Sequence, residues 1–315
     1  MGVTVEVPEA VRRKALAVGP DGQRWLADIG RLVAELEADW DVEIGEAIVG
    51  GSGAYVANTI APDGTEAVVK LAIPDGLEGH SPFATELDTL LLGGGEGYVS
   101  VLRFDVARRA ILQERLGRPL SALGLPVEAQ IDIIAATLQR AWRTAPVGTR
   151  LRTGAEQAHS LGEFIVAQWD EVGRPCPRST VERAERYARS RRDGFDAATA
   201  VLVHGDAHPA NVLEDPSAAD SFKLIDPDGM ISEPAHDLAI PLRDWTDELL
   251  VSADPVALGL AWCAQLSERT GADRRAIWEW AFVERVSTGL FLLRLGDPLG
   301  ARFLEVAAHW TGAQP

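Results

Sequence analysis

Cysteine is scarce: Cys176 and Cys263 are the two in 315 residues, too few and too widely spaced for a disulfide framework or a zinc cluster. Positive charge is also in deficit. Thirty Lys and Arg stand against 47 Asp and Glu, a net charge of -17, and so acidic a surface repels nucleic acid and anionic lipid while attracting cations. No apolar run approaches membrane-spanning length, and the opening Met1-Gly2-Val3-Thr4-Val5-Glu6-Val7-Pro8 lacks the basic and long apolar segments of a secretory leader. The G-x-x-x-x-G-K-[ST] loop and the G-x-S-x-G elbow are missing, which argues against a P-loop NTPase and a serine hydrolase. A cytoplasmic chain with no nucleic-acid or membrane partner is expected; its oligomeric state is not readable. At 46% hydrophobic and 24% charged residues the composition is that of an ordinary globular protein, long enough for two sub-domains.

What is present centres on Val201-Leu202-Val203-His204-Gly205-Asp206-Ala207-His208-Pro209-Ala210-Asn211-Val212-Leu213, followed by Phe222-Lys223-Leu224-Ile225-Asp226-Pro227-Asp228-Gly229. Two strand-like runs each deliver acidic or amide side chains into a turn. The order His-Gly-Asp-x-x-x-x-Asn, then Leu-Ile-Asp, matches what phosphoryl transfer of the kinase type requires. A carboxylate at Asp206 suits the orientation and deprotonation of an attacking hydroxyl. Magnesium prefers hard oxygen donors, which Asn211 and Asp226 supply from neighbouring turns. His204 and His208 have the spacing of zinc ligands on one helix face, but Gly205 and Pro209 disfavour a helix. They are expected to brace the loop instead.

Upstream, residues 8–18 and 21–40 read as helices, the second carrying Trp25, Ile29, Leu32, Val33, Leu36 and Trp40 at helical spacing. A strand, the turn Gly50-Gly51-Ser52-Gly53 and a second strand follow. Gly51, Ser52 and Gly53 are candidate phosphate contacts because glycine lets backbone N–H groups approach an anion closely. Lys70, at the end of a Val-Val-Lys strand, is placed to pair with nucleotide phosphates, and the helix over 82–92 offers Glu86 as its partner, with Glu78 and Asp88 as rivals. Strands over 98–104 and 110–116 lead to a hinge at residues 113–118, where the backbone at Gln113, Glu114 and Leu116 would meet an adenine. Beyond it helices dominate: 127–143, 156–172, 178–192, 234–242, 245–252, 255–270, 274–295 and 299–310. The expectation is an α+β chain with an antiparallel-sheet lobe over 1–116 and a larger, mainly helical lobe over 117–315.

The catalytic stretch with Ile225-Asp226 resembles the signature of the aminoglycoside phosphotransferase family. The run Ile225-Asp226-Pro227-Asp228-Gly229-Met230-Ile231-Ser232-Glu233-Pro234-Ala235-His236-Asp237-Leu238-Ala239 is similar to its streptomycin and hydroxyurea kinase branch, and Ala110-Ile111-Leu112-Gln113-Glu114-Arg115-Leu116 resembles that branch's hinge strand. The resemblance runs from about Asp41 to the C-terminus. It implies a protein-kinase-like bilobal fold, ATP and Mg2+, and transfer of the γ-phosphate to a substrate hydroxyl. By the same mapping Asp206 is the base, Asn211 and Asp226 hold magnesium, Lys70 binds phosphate and Asp237 braces the C-terminal lobe. The irregular glycine loop and Gln113 depart from the branch, leaving ATP versus GTP preference open. Because such enzymes hold cationic acceptors with carboxylates from C-terminal helices, Glu233, Asp244, Asp247, Glu279 and Glu284 are candidates, beside Trp245, Trp278 and Trp280. The alternative is that these are solvated helix faces and core tryptophans. The expected acceptor is a small molecule of streptomycin type; a metabolite kinase acting on an amino sugar, hydroxylated amine or hydroxyurea, and a nucleotide-binding regulator without turnover, are the alternatives.

Overall fold

Two helices open the chain, α1 (Glu9–Val18) and α2 (Pro20–Trp40), in a computed structural model that describes residues 5–51, 53–74, 81–144, 146 and 148–315. Gly19, with φ of 90°, turns the chain between them, and Pro20 supplies a first helical residue whose missing N–H costs nothing there. Trp25, Ile29, Val33, Leu36 and Trp40 recur at three- and four-residue steps and form the buried stripe of α2. They share one core with Val11 and Ala15 of α1 and with Ile44, Ala57, Val69, Leu71 and Leu112. Those last residues come from β1 (Glu43–Ala47), β2 (Ala54–Ile60), β3 (Glu66–Ala72) and β5 (Ala110–Glu114), which with β4 (Val101–Asp105) form an antiparallel sheet of order β1-β2-β3-β5-β4.

Strand alternation fixes what lies on the other face. Since Val69 and Leu71 enter the helix-covered core, Val68 and Lys70 point the opposite way. The register pairs Lys70 with Val56 and Ile111, and Val68 with Asn58 and Gln113, so these six residues share the face opposite α1 and α2. Helix α3 (Pro82–Gly93) begins at the Ser81 cap and supplies Glu86 to Lys70. Sequence periodicity extends the fourth strand back to Tyr98. In the structure β4 starts at Val101, while Tyr98 and Val99 are buried outside the ladder and the Ser100 N–H donates to Glu114 Oε1 at 2.7 Å.

The chain divides into two compact units, Met1–Gly117 and Arg118–Pro315. The second contains α4 (Val127–Ala141), α5 (Gly154–Glu171), α6 (Arg178–Asp193), α7 (Pro234–Ala239), α8 (Pro241–Asp244), α9 (Thr246–Val251), α10 (Pro255–Thr270), α11 (Arg274–Arg294) and α12 (Leu299–Trp310). Helix α5 starts in a capping box, with Thr153 and Glu156 each satisfying a backbone N–H of the other. Helix α11 is buried on nearly every side from Ala276 to Ser287. The expected helix over 234–242 is two helices, because Pro241 has no N–H to continue the first. Short strands interrupt the helices: β6 (Arg152–Thr153), β7 (Val201–Val203), β8 (Val212–Glu214), β9 (Phe222–Leu224) and β10 (Met230–Ser232), paired as β6-β10-β7 and β8-β9.

Gly22 tests the packing of α1 on α2. An ideal Cβ there would lie 1.9 Å from the Ala15 carbonyl oxygen, so the two backbones must move apart to admit a methyl group. Gly22→Ala, which in an open helix gains about 1 kcal/mol, is expected to destabilise the chain by about 1–3 kcal/mol through overpacking. A urea midpoint that falls with unchanged slope is the expected result.

Candidate active site

Two loops carry the motif residues, and the strands at their ends hold them side by side. Residues 204–211 join β7 to β8, and residues 225–229 join β9 to β10. Strand β8 pairs with β9 through Val212 and Leu224, while β7 pairs with β10 through Val203 and Met230. Three hydrogen bonds lace the loops together. The Ile225 N–H donates to Asn211 O at 3.0 Å, the Gly229 N–H donates to His204 O at 2.9 Å, and His204 Nε2 donates to Ile225 O at 2.8 Å. That last role follows from the other ring nitrogen, since His204 Nδ1 accepts from the Asp206 N–H at 3.1 Å and Nε2 must then carry the proton. Both histidine nitrogens are therefore used within the loops, as bracing rather than as metal ligands. Gly205 has φ of 84°, and a Cβ there would stand 3.2 Å from Asp228 Cβ and from Met230 Cε, so glycine is needed twice over.

Asp237 of α7 anchors the assembly from below. It is fully buried. Its Oδ2 accepts from the His204 N–H and from Trp142 Nε1, each at 2.9 Å, and its Oδ1 accepts from the Gly205 N–H at 2.8 Å. Three donors satisfy one charged group, the condition under which a buried carboxylate is tolerated.

Asp206 projects from this platform. One carboxylate oxygen, Oδ1, accepts from the guanidinium of Arg243, and the other, Oδ2, stands 3.5 Å from His208 Nε2. Burial alone would raise the Asp206 carboxyl, but His208 and Arg243 more than offset it and hold the group well below the usual carboxylate range. It is therefore an anion throughout the neutral range. His208 experiences the converse: burial lowers it, while Asp206 and Asp244 raise it above its ordinary value. Asn211 donates its Nδ2 to Asp206 O at 3.0 Å, which leaves the amide oxygen Oδ1 to face a cation. Asp226 follows β9 with φ of 56°, a conformation that Asp tolerates better than most residues.

In the first unit, Lys70 Nζ lies 2.6 Å from Glu86 Oε1 with both side chains largely buried. Glu86 rather than Asp88 is the carboxylate set against Lys70, and Glu78 and Ser52 lie outside the described residues. Gly51 has open space where a Cβ would be, and Gly53 meets only the end of the Lys14 side chain at 3.5 Å. Gln113 is buried with its Oε1 unpartnered. The Glu114 side chain and N–H are committed to the Ser100 backbone, at 2.7 and 3.0 Å, and Leu116 is buried.

The acidic candidates for acceptor contact separate sharply. Glu279 is fully buried, 2.8 Å from both Arg191 and Arg275, and this corrects its assignment as an acceptor contact. Trp280 is corrected likewise: it is fully buried, edge-on to His236 and donating its Nε1 to Glu233 Oε1 at 2.9 Å. Trp278 stacks on Trp310 in the core, and Trp245 is buried against Trp262. Glu233 is also 3.3 Å from Arg191. Asp247 is exposed and paired with Arg302, away from the loops' hydrogen-bond network. Asp244 and Glu284 do belong to the Asp206 surroundings. Asp244 lies 3.5 Å from His208 and 3.7 Å from Arg243, and Glu284 lies 3.2 Å from His236 and 3.9 Å from Arg243. Arg243 is the residue that motif reading missed, since no spacing rule marks it. The two cysteines are buried, and burial pushes the Cys176 thiol up to about 11 and the Cys263 thiol higher still, so neither is a nucleophile.

The donor set fits magnesium. Asn211 and Asp226 offer amide and carboxylate oxygens, and no cluster of three or more His, Cys, Asp and Glu ligands occurs among the described residues. A cation that keeps its waters and takes further oxygens from phosphates suits so sparse a set.

Known proteins similar to this chain are kinases and phosphotransferases. The family model described as "Aminoglycoside/hydroxyurea antibiotic resistance kinase" matches residues 39–296. The chain is 29% identical over 305 residues to a streptomycin 6-kinase of Streptomyces glaucescens, covering 93% of this chain and 92% of that one. It is 29% identical over 251 residues to a hydroxyurea phosphotransferase of Kitasatospora aureofaciens, covering 76% and 68%. Among solved structures, the choline kinase LicA of Streptococcus pneumoniae superposes with a TM-score of 0.59 at 16% identity, covering 89% of this chain and 97% of that one. The fold is thus protein-kinase-like. Among the described residues, no helix is long and apolar enough to cross a membrane.

Asp237→Ala removes the acceptor of two backbone N–H groups and one indole. Leaving buried donors unsatisfied costs about 1–3 kcal/mol each, so a loss of several kcal/mol is expected in denaturant melts. Hydrogen exchange should accelerate selectively at the His204 and Gly205 amides.

Proposed function

Because this chain belongs to the aminoglycoside/hydroxyurea antibiotic resistance kinase family, and is therefore a phosphotransferase with an alcohol group as acceptor, we propose that it uses ATP and magnesium to phosphorylate an aminoglycoside of streptomycin type, inactivating it. The observation that carries the site assignment is the lacing of Asp206, Asn211 and Asp226 into one pair of loops. The similarity to streptomycin 6-kinase across nearly the whole chain supports the acceptor.

In the proposed reaction the acceptor O–H bond breaks as its proton passes to Asp206 Oδ2. The freed oxygen forms a bond to the γ-phosphorus, and the bond to the bridging oxygen breaks, releasing ADP. Magnesium, when bound, neutralises charge on the phosphate oxygens. Asn211 Oδ1 and the Asp226 carboxylate would hold it. Lys70, oriented by Glu86, would take up phosphate oxygens, and Gly51 and Gly53, which carry no side chains, would let backbone N–H groups approach them. Gln113 presents an unpartnered buried oxygen on the same sheet face as Lys70, where it would meet the base of the nucleotide.

One observation favours a second acceptor. Glu233 and Glu279 lie against Arg191, and Glu284 and Asp244 lie near Arg243, so they present less free negative charge to a polycation than their number suggests. A small uncharged acceptor such as hydroxyurea matches that balance and the other relative. Purified protein with ATP and magnesium, screened against streptomycin, other aminoglycosides, amino sugars and hydroxyurea, decides between them. Turnover with streptomycin and a phosphate mass gain is the expected result; turnover with hydroxyurea alone assigns the second reading.

The division of roles has its own test. Asp226→Ala should abolish transfer and weaken magnesium-dependent nucleotide binding, whereas Asp206→Ala should lower kcat by about 10²–10⁴-fold with nucleotide affinity nearly unchanged. Equal loss of nucleotide binding in both variants would refute these assignments.

A further inference from the structure

Arg243 stands beside the proposed base in an arrangement that no part of the motif requires. Its guanidinium donates to Asp206 Oδ1 while facing two more carboxylates, Asp244 on its own helix and Glu284 from α11, at 3.7 and 3.9 Å. Glu284 is held in turn by His236 at 3.2 Å. Three acidic groups from three elements thus surround one guanidinium whose side chain is only 16% exposed.

The backbone that carries Arg243 is as constrained as its side chain. Its N–H donates to Ile240 O at 3.2 Å, and its carbonyl accepts from Thr246 Oγ1 at 2.7 Å. The preceding carbonyl, Leu242 O, accepts from Arg285, whose Nη1 lies 2.5 Å from Thr246 Oγ1. Arg285 is fully buried, stacked over Trp310 and Phe303 at 5.0 and 5.6 Å, and burial pushes it down to about 9. The short helix α8 is therefore bonded on both sides of Arg243. A side chain displaced by each arriving acceptor would not need this degree of fixation. Its departure would also remove the guanidinium that Asp206, Asp244 and Glu284 share, leaving only His208 beside the first two.

We propose that Arg243 is a positioning residue for phosphoryl transfer: it binds Oδ1 of Asp206 and fixes the carboxylate so that Oδ2 alone faces the acceptor hydroxyl. The inference rests on the assignment of Asp206 as the base. A carboxylate free to rotate offers either oxygen in many orientations, whereas one held at Oδ1 offers a single direction for the other. His208 Nε2 approaches Oδ2 at 3.5 Å, beyond hydrogen-bond length, so that oxygen keeps its capacity to accept a proton. The planar fork of arginine suits this role better than the point charge of lysine.

The test compares wild-type chain with Arg243→Ala and Arg243→Lys, each confirmed to be fully folded at the assay temperature by circular dichroism. With the acceptor found in the screen, Arg243→Ala should lose about 100-fold in kcat, the order of effect expected when a reacting group is misplaced, with KM for ATP within about twofold. Millimolar guanidinium should restore at least part of the kcat of Arg243→Ala and leave wild type and Asp206→Asn unaffected. Arg243→Lys keeps the charge without the fork and should fall between. A preserved kcat with a lowered acceptor KM in Arg243→Ala would overturn the proposal and make the guanidinium a stand-in for a cationic group of the acceptor. A loss that guanidinium does not rescue in a folded variant would overturn it as well. The ¹³C signal of the Asp206 carboxyl gives a readout independent of any acceptor: it should move on Arg243→Ala and return on adding guanidinium. An unmoved signal refutes the contact, while a moved signal in a protein that phosphorylates nothing refutes the functional reading alone.

Discussion

A single carboxylate, that of Asp237, carries the geometry of the site. It accepts from successive backbone N–H groups at His204 and Gly205 and from the Trp142 indole, and so ties α7, the loop over residues 204–211 and the residue after α4 to one point. With both of those amides committed, the chain can reverse direction at Gly205 and deliver Asp206 outward. His204 then reaches across to Ile225 and sets the distance to the second loop. Removing any one bond loosens the others, because they share acceptors and elements, and networks of this kind are worth more than their separate pairs.

Much of this was legible in the sequence because chemistry concentrated on loops leaves a linear trace. Asp206, Asn211 and Asp226 are close in the chain as well as in space, and the strands that flank them are marked by apolar runs. Lys70 and Glu86 were legible as a pair because a strand lysine and the next helix are near neighbours by topology. The long helices followed from period alone. What escaped notice did so for physical reasons. Strand β10 is three residues long, too short to show any period. The split at Pro241 depends on where one missing N–H falls. The burial of Glu279 between Trp278 and Trp280 contradicts the simple picture of one buried helix face: α11 is enclosed on nearly all sides, and three consecutive residues cannot share a face. Arg243 was invisible because its contacts depend on α8 lying against the loop over residues 204–211 and α11, which no local pattern encodes.

The net charge of -17 invited the expectation of an open acidic pocket built from the C-terminal helices. The structure distributes that charge differently. Near Asp206, the carboxylates are matched by Arg243 and His208, and deeper in the same unit Glu233 and Glu279 are matched by Arg191 and Arg275. Such pairs give orientation more than attraction, since a partnered carboxylate has little field left at a distance.

The cross-linked pairs also bear on how this scaffold diverges. Arg191 serves both Glu233 and Glu279, and Arg243 faces Asp206, Asp244 and Glu284, so losing one member strands a charge that several others had shared. Lineages that trade one acceptor for another must therefore change these residues in concert or leave them alone. Substitutions outside the pairs disturb no shared charge, so a change of acceptor is least costly there.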